Sequence, residues 1–278
     1  MTGKTPRRAG RVIAALLATA AVSAAGAASA SASEVIYNSI PSPTPGNVPS
    51  VGFEATSAAE FGGLVKVEGT ARKNPVVTAL MSSWACQSGT WNGFNCSTTA
   101  GAKFEWPIMF NIYEVGPGDT VGVKIASGSK VFKIPYRPSA NLTRCTGKNT
   151  GKWFGKGSCF NGKAAKISLS LQLAKVPEEV IVSISYNTSD HGYAPVGTAT
   201  ACHSEPQGCP YDSLNLGLTE TSETEPTVGS DPLPNDVFWN TTVGENYCDK
   251  GLGGTGTFRR DEGCWPKEQP MFTVKTTA

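Results

Sequence analysis

Apolar and polar residues alternate along much of the chain, a pattern typical of β-strands with one buried face. In residues 166–173, every second residue from Ile167 to Leu173 is apolar, and the residues between them are Ser or Gln. The same alternation runs through residues 180–186, after a turn at Val176-Pro177-Glu178-Glu179. Together the two segments predict a β-hairpin.

Further segments have the length and composition of strands, and turn-forming residues such as Gly116-Pro117-Gly118-Asp119 and Ser127-Gly128-Ser129 separate them. These segments are Glu34 to Ile40, Leu64 to Glu68, Val76 to Trp84, Phe104 to Val115, Val121 to Ala126, Lys130 to Pro135, Val237 to Thr241 and Met271 to Thr276. Trp84, Trp106 and Trp239 fall within strand patterns, so we expect them in or near the core.

The overall pattern predicts an all-β fold. About ten short strands, 31 glycines, 19 prolines and no long amphipathic helix indicate an antiparallel β-sandwich, of jelly-roll type. We expect residues 34–278 to form a single domain, with a looser cysteine-containing part from about residue 197. A small independent C-terminal module is the alternative.

The first 33 residues have the features of an export signal. Four basic residues (Lys4, Arg7, Arg8 and Arg11) precede an apolar run from Val12 to Val22, and Ala-Ser-Ala cleavage candidates follow at 28–30 and 30–32. The apolar run is diluted by small residues and is short for a membrane span, which needs roughly 20 apolar residues. The sequence therefore predicts a secreted, extracellular protein with no membrane span in the mature chain.

Charge argues against one class of partner. The whole chain has 24 basic and 22 acidic residues, and removal of the signal leaves 20 basic residues, a net charge of −2. A nearly neutral chain without a block of basic residues lacks the composition of a nucleic-acid-binding protein. We therefore predict no nucleic-acid partner.

All eight cysteines lie in the mature chain, and an even number in an exported protein predicts disulfides. They fall into four local couples, which predict sequential pairing: Cys86 with Cys96, Cys145 with Cys159, Cys202 with Cys209, and Cys248 with Cys264. Each short loop is worth about 2 to 3 kcal/mol in the chain-entropy model. Zinc-type cysteine spacing and the Cys-x-x-Cys redox motif are absent, so we predict no metal and no cofactor.

Catalytic patterns are weak. Asp190 and His191 are neighbours that point to opposite sides of an extended chain, and Ser127 and Lys130 lie at a predicted hairpin tip. A glycosidase needs two carboxylates about 5 to 9.5 Å apart. The acids in strand patterns are Glu54, Glu68, Glu105 and Glu114, and Glu54 would meet Glu60 only if the segment from Phe53 to Phe61 curls. Their spacing indicates solvent-facing side chains more than a pair. We predict no catalytic residues.

Aromatic residues in the disulfide loops are the best candidates for ligand binding. Trp91 and Phe94 lie between Cys86 and Cys96, and Trp153 and Phe154 lie between Cys145 and Cys159. Flat rings on a rigid exposed turn could stack on a sugar. The alternative is that these rings, and Trp265 after Cys264, pack on their own disulfides and cover the ends of the sandwich.

Several segments resemble a group of exported, mainly actinobacterial β-rich proteins without an assigned activity. They are VIVSISYNTSDHGYAPVG, GCPYDSLNLGL, YCDKGLGGTGTFRRDEGCW, MSSWACQSG and WPIMFNIYEV. The resemblance covers most of the mature chain. It implies secretion and a β-rich domain, and it carries no catalytic or ligand residues.

Three functions remain open at this point. The leading hypothesis is a secreted, non-enzymatic protein that binds an extracellular or cell-wall component, with polysaccharide as the favoured ligand, through Trp91, Phe94, Trp153 and Phe154. The first alternative is a secreted polysaccharide hydrolase that uses a carboxylate pair. The second alternative is a structural surface protein that contacts only other proteins.

Overall fold

The computed structural model of the protein describes residues 1–3, 33–189, 202, 208–219 and 226–277. By contacts, the chain divides into two units, Met1–Ser31 and Ala32–Ala278. The predicted signal sequence, apart from its first three residues and residue 33, lies outside the described residues, and so do Asp190, His191 and His203. Everything below concerns the second unit.

The chain is mostly β-structure, with 46% strand and 7% helix. The strands are β1 (Glu34–Asn38), β2 (Ser50–Gly52), β3 (Ala58–Lys66), β4 (Lys73–Ser83), β5 (Lys103–Gly116), β6 (Thr120–Pro135), β7 (Trp153–Gly155), β8 (Ser158–Phe160), β9 (Lys163–Ser170), β10 (Glu179–Ser185), β11 (Leu214–Gly217), β12 (Val237–Thr241), β13 (Arg259–Asp261) and β14 (Phe272–Thr277). The helix α1 (Phe53–Thr56) and the 3-10 turns Gly147–Asn149, Pro210–Ser213 and Gly244–Asn246 are short.

The strands form two antiparallel sheets and one small hairpin. In the first sheet, β4 pairs with β9 along one edge, while β14 and β11 pair with successive parts of its other edge. The strands β1 and β2 extend this sheet by pairing with β14 and β11. The second sheet has the order β13-β12-β3-β10-β5-β6, and β7 pairs only with β8.

The main core lies between the two sheets. The first sheet contributes Val77, Ala79, Met81 and Ile167, and the second contributes Phe61, Phe110, Val182 and Ile184, all buried. Period-two alternation explains this placement, since alternate residues of each strand face the same side. The predicted all-β antiparallel sandwich is confirmed. Its jelly-roll type stays a prediction.

Two local predictions were wrong. Segments 166–173 and 180–186 do not form a hairpin, because β9 pairs with β4 in the first sheet and β10 pairs with β3 and β5 in the second. The turn between them connects the two sheets. The predicted turn at Ser127-Gly128-Ser129 lies inside the continuous strand β6, where Gly128 pairs with Phe110.

The predicted disulfide pairing is confirmed for all four couples. Sulfur–sulfur bonds join Cys86 to Cys96, Cys145 to Cys159, Cys202 to Cys209 and Cys248 to Cys264. Trp106 and Trp239 are buried as expected, and Trp84 is half-buried. Among the described residues, no helix is both long and apolar enough to cross a membrane.

Candidate binding surface

The first disulfide loop, residues 86–96, projects from the end of β4 and carries the two exposed aromatic rings. Its base is a two-residue ladder in which Ser88 and Ser97 exchange backbone hydrogen bonds of 3.0 and 2.9 Å. At the tip, the Thr90 N–H donates to Asn95 Oδ1 at 2.9 Å, and the Gly93 N–H donates to Thr90 Oγ1 at 3.1 Å. These bonds and the Cys86–Cys96 disulfide hold the tip in one conformation.

The tip presents its rings to solvent. Trp91 is 39% exposed and Phe94 is 54% exposed, and both belong to a run of five exposed residues, 91–95. The Trp91 ring meets Trp84 edge-on, with ring centroids 4.7 Å apart and planes at 87°. Because Trp84 is anchored by its indole N–H, which donates to Ser82 Oγ at 3.0 Å, it fixes the position of the Trp91 ring.

The second disulfide loop, residues 145–159, contacts the first through Phe94 and Gly151. A Cβ atom placed on Gly151 would lie only 2.1 Å from Phe94 Cδ1, so the phenyl ring rests directly on this glycine. Backbone bonds join the same region further, since the Ala140 N–H donates to the Cys96 carbonyl and the Asn141 N–H donates to the Lys152 carbonyl. The two loops therefore form one surface, which we call the two-loop surface.

Trp153 and Phe154 occupy different environments from those of the two exposed rings. Trp153 is only 4% exposed, and its indole N–H donates to the Gly162 carbonyl at 2.6 Å. It supports the second loop from below and offers no ring to solvent. Phe154 is half-buried, and the Arg144 guanidinium lies over its ring at 4.7 Å. Of the four predicted binding residues, Trp91 and Phe94 are thus the exposed rings.

Arg137 is a buried cation beneath the two-loop surface. Its side chain has no exposed area, and its Nη2 donates to the Gly151 carbonyl at 2.6 Å. Among the described residues, its Nε and Nη1 atoms have no hydrogen-bond partner and no carboxylate pairs with it. Burial lowers the pKa of Arg137 to about 10, which leaves the guanidinium charged at neutral pH.

Sequence reasoning missed both Arg137 and Gly151. The signal for Gly151 is only a glycine next to Lys152 in a cysteine loop. Its role depends on the approach of a different loop, which local sequence does not encode. Arg137 lies two residues after the end of β6 and is indistinguishable there from an exposed arginine.

A cluster of buried polar side chains around Glu60 lies on the outer face of the second sheet. Glu60 is 2% exposed, and its Oε1 accepts hydrogen bonds from Asn111 Nδ2 at 2.8 Å, Tyr113 Oη at 2.8 Å and Ser183 Oγ at 2.5 Å. Ser127 Oγ donates to Asn111 Oδ1 at 2.7 Å and extends the network to β6. The network accounts for the buried carboxylate, because three donors replace its hydration.

Two of the remaining strand acids are too far apart to form a catalytic pair. Glu105 and Glu114 are both exposed on β5, and at about 3.4 Å per residue they lie roughly 30 Å apart. Glu105 lies near Lys133, with Oε1 and Nζ 3.5 Å apart. Glu68 is exposed, and Glu54 lies on α1, where its charge acts on Tyr186 in the core. The carboxylate-pair alternative gains no support from Glu60, Glu105 or Glu114.

A pocket of about 270 Å³ lies beside β13, lined by Gly118, Thr120, Asp249, Arg259, Arg260, Asp261 and Glu262. Its charges are already paired: Arg259 bonds Asp249 at 2.8 Å and Arg260 bonds Asp236 at 2.5 Å. Asp261 Oδ2 accepts the indole N–H groups of Trp239 and Trp265, each at 2.9 Å. These contacts give the pocket a structural role.

Cys248, Asp261 and Cys264 come close enough to resemble a metal site. The two sulfurs are joined in a disulfide, however, so they cannot act as thiolate ligands. Asp261 alone does not make a metal site.

Comparisons with protein-family models, with curated protein sequences and with solved structures find no match to this chain.

Proposed function

We propose that the protein is an extracellular binding protein that holds a glycan against Trp91 and Phe94 on the two-loop surface. The observation that carries the proposal is the exposure of these two rings on a loop closed by a disulfide and braced by a neighbouring loop. Large exposed apolar side chains that cluster on a rigid support are typical of interaction sites.

Rigidity supports a binding role over a purely structural one. Ordering a flexible loop costs binding free energy, and a preorganised loop avoids that cost. Here the ladder at Ser88, the side-chain bonds of Thr90 and the contact with Gly151 fix the tip without burying its rings. If the rings served only to pack against the rest of the fold, as the buried ring of Trp153 does, the tip would gain nothing from exposing them.

An extracellular location belongs to the same proposal. Its support is the set of four disulfides, since such bonds form and persist in oxidising compartments, together with the export-type N-terminal sequence. Within this proposal, cell-wall polysaccharide is the class of glycan that we favour as the ligand.

The test is binding of the purified, oxidised protein to a panel of polysaccharides, measured by retardation in affinity gels and by calorimetry. We expect Trp91→Ala and Phe94→Ala each to weaken binding by roughly fivefold or more, since stacked rings carry interface energy of about 1 kcal/mol and above.

Leu252→Ala is the control, because Leu252 is 92% exposed and lies outside both loops. It should leave binding unchanged. Unaltered affinity in both aromatic variants, or no binding to any glycan in the panel, would refute the proposal.

A further inference from the structure

The two-loop surface lies in a part of the chain that has basic residues and no acidic ones. Residues 69–104 and 120–177 contain no Asp or Glu, and they contain 14 Lys and Arg residues. All 22 acidic residues lie elsewhere in the sequence. The net charge of the whole chain is therefore close to zero although basic and acidic residues lie in different segments of the sequence.

The second loop, which contacts Phe94 through Gly151, carries three basic residues close to Gly151 in the sequence. Lys148 and Lys152 lie on either side of Gly151, the residue that supports Phe94, and Lys148 is exposed. Arg144, also exposed, covers Phe154. Within the described residues, none of these three side chains forms an ion pair with a carboxylate.

Lys163 is a further basic residue beside Trp153 of the second loop, with its Nζ 5.0 Å from the centre of that ring. The preceding residue, Gly162, contacts Trp84, because an added Cβ there would lie 2.6 Å from the indole Nε1. Trp84 in turn packs on Trp91.

Arg137 adds charge from below. Its guanidinium is buried under Gly151, and within the part of the chain that the structure describes it has no counter-ion and two of its nitrogens have no hydrogen-bond partner. A charge that is not neutralised inside the protein contributes to the field at the nearby surface, where solvent screens it less completely than it screens a fully exposed group. Asp212 is an acidic residue near Trp84, because the Trp84 N–H donates to the carbonyl of the adjacent residue Ser213. The Oδ1 of Asp212 accepts a hydrogen bond from the Ser189 N–H.

From this arrangement we infer that the ligand of the two-loop surface is an acidic polysaccharide, with sugar rings stacked on Trp91 and Phe94 and carboxylates facing Arg144, Lys148 and Lys152. This inference rests on the proposed function for the stacking contacts. It adds the ligand's charge, which follows from complementarity with cations that have no counter-ion among the described residues, although Lys152 Nζ donates to Asn149 Oδ1 at 3.0 Å. An uncharged polysaccharide would leave those cations without a counter-ion.

The experiment compares two forms of one polymer, polygalacturonate and its fully methyl-esterified form, which share a backbone and differ in charge. We expect the full-length oxidised protein to bind polygalacturonate at least tenfold more tightly than the ester. We also expect the affinity to fall as ionic strength rises from 20 to 300 mM.

The variants separate charge from shape. Lys148→Gln with Lys152→Gln should weaken polygalacturonate binding by roughly fivefold or more, because each exposed charge contact contributes a fraction of a kcal/mol to about 1 kcal/mol. It should leave binding of the ester unchanged. Lys124→Gln with Lys175→Gln removes the same charge from exposed positions outside both loops and should leave both affinities unchanged.

The outcomes distinguish the two proposals. Equal affinity for both polymers, abolished by Trp91→Ala, would overturn the inference and support the proposed function. Tight polygalacturonate binding that is insensitive to Trp91→Ala would overturn the proposed function and support recognition of charge. Equal binding of duplex DNA, with the same loss on removing Lys148 and Lys152, would overturn the assignment to polysaccharide.

Discussion

Phe94 of the first disulfide loop rests on Gly151 of the second, and the contact is so close that a Cβ at residue 151 would lie 2.1 Å from Phe94 Cδ1. Gly151 also has a φ of +83°, a backbone conformation that residues with a side chain rarely adopt. Glycine is therefore required at this position for two separate reasons, one steric and one conformational.

The first prediction separates those reasons. Gly151→Ala should displace Phe94, lower the free energy of unfolding by about 2 to 4 kcal/mol, and weaken glycan binding. Gly157→Ala is the matched control, because Gly157 has a φ of +81° and no neighbour within 4 Å of the added methyl group. It should cost only the conformational strain, about 1 kcal/mol, without affecting binding. Equal effects of the two substitutions on binding would contradict the contact. Urea denaturation and affinity gels measure both quantities.

The second prediction concerns Asp261, which joins two tryptophans and the last disulfide. Its Oδ2 accepts the indole N–H groups of Trp239 and Trp265, and its Oδ1 accepts the Cys248 backbone N–H at 2.9 Å. Asp261→Asn replaces one acceptor oxygen by a donor that faces other donors. We expect a loss of about 2 to 4 kcal/mol in the free energy of unfolding and a shift in tryptophan emission.

Glu262→Gln provides the comparison for Asp261→Asn. The Glu262 side chain is 75% exposed and makes one distant contact with Arg260, at 3.6 Å. That variant should remain within about 0.5 kcal/mol of the unmodified protein. If Asp261→Asn were equally mild in urea denaturation, the hydrogen bonds to the two indoles would not be formed in solution.

The third prediction concerns the carboxylate of Glu60. Glu60→Ala leaves Asn111, Tyr113 and Ser183 without the acceptor that they share, so we expect a loss of about 3 kcal/mol or more in the free energy of unfolding. Glu60→Gln keeps an acceptor oxygen and should cost less. Thermal and urea unfolding measure the difference. An undiminished stability in Glu60→Ala would show that water reaches the cluster.

Sequence patterns could predict the sandwich, because burial of one strand face imposes alternation wherever a strand covers the core. They could not predict which strands pair. The alternation of residues 166–173 and 180–186 is the same whether the two strands lie side by side or in opposite sheets, and here they lie in opposite sheets. The pairing of the cysteines, in contrast, followed from their closeness along the chain.

Gly128 shows a second limit of local sequence. A glycine between two serines is typical of a turn, but here a Cβ on Gly128 would lie 2.9 Å from Leu171 Cδ2. The glycine allows the long strand β6 to pass close to a leucine that follows β9. That requirement comes from packing between segments distant in sequence, and a local reading of turn residues does not detect it.

The two-loop surface was predictable only in part. Spacing between cysteines predicted closed loops that carry Trp91 and Phe94 in one case and Trp153 in the other. The first two rings are exposed, but the Trp153 ring is buried. Whether a ring in such a loop faces solvent depends on what the rest of the fold places beside it. Net charge was also a poor guide, since averaging over the chain removed the contrast between acid-free and acidic segments.

The fourth prediction concerns the acid stability provided by Asp249. The Arg259 guanidinium, which donates to Asp249 Oδ1 at 2.8 Å, holds the pKa of this carboxyl below its ordinary value of 3.8, and the N–H groups of Gly253 and Gly251 act in the same direction. A carboxyl whose pKa is lower in the folded chain than in the unfolded chain stabilises the fold above the unfolded pKa. This contribution disappears as the pH falls through the folded pKa.

We therefore expect the difference in free energy of unfolding between the protein and Asp249→Asn to be fully present at pH 7 and pH 5. It should shrink as the pH falls below about 4, because protonation of Asp249 then removes the same charge that the substitution removes. Urea denaturation at a series of pH values measures the difference. A gap that stayed constant down to pH 2 would mean that Asp249 acts through packing of the 249–253 turn, and that its charge on Arg259 contributes nothing to the fold.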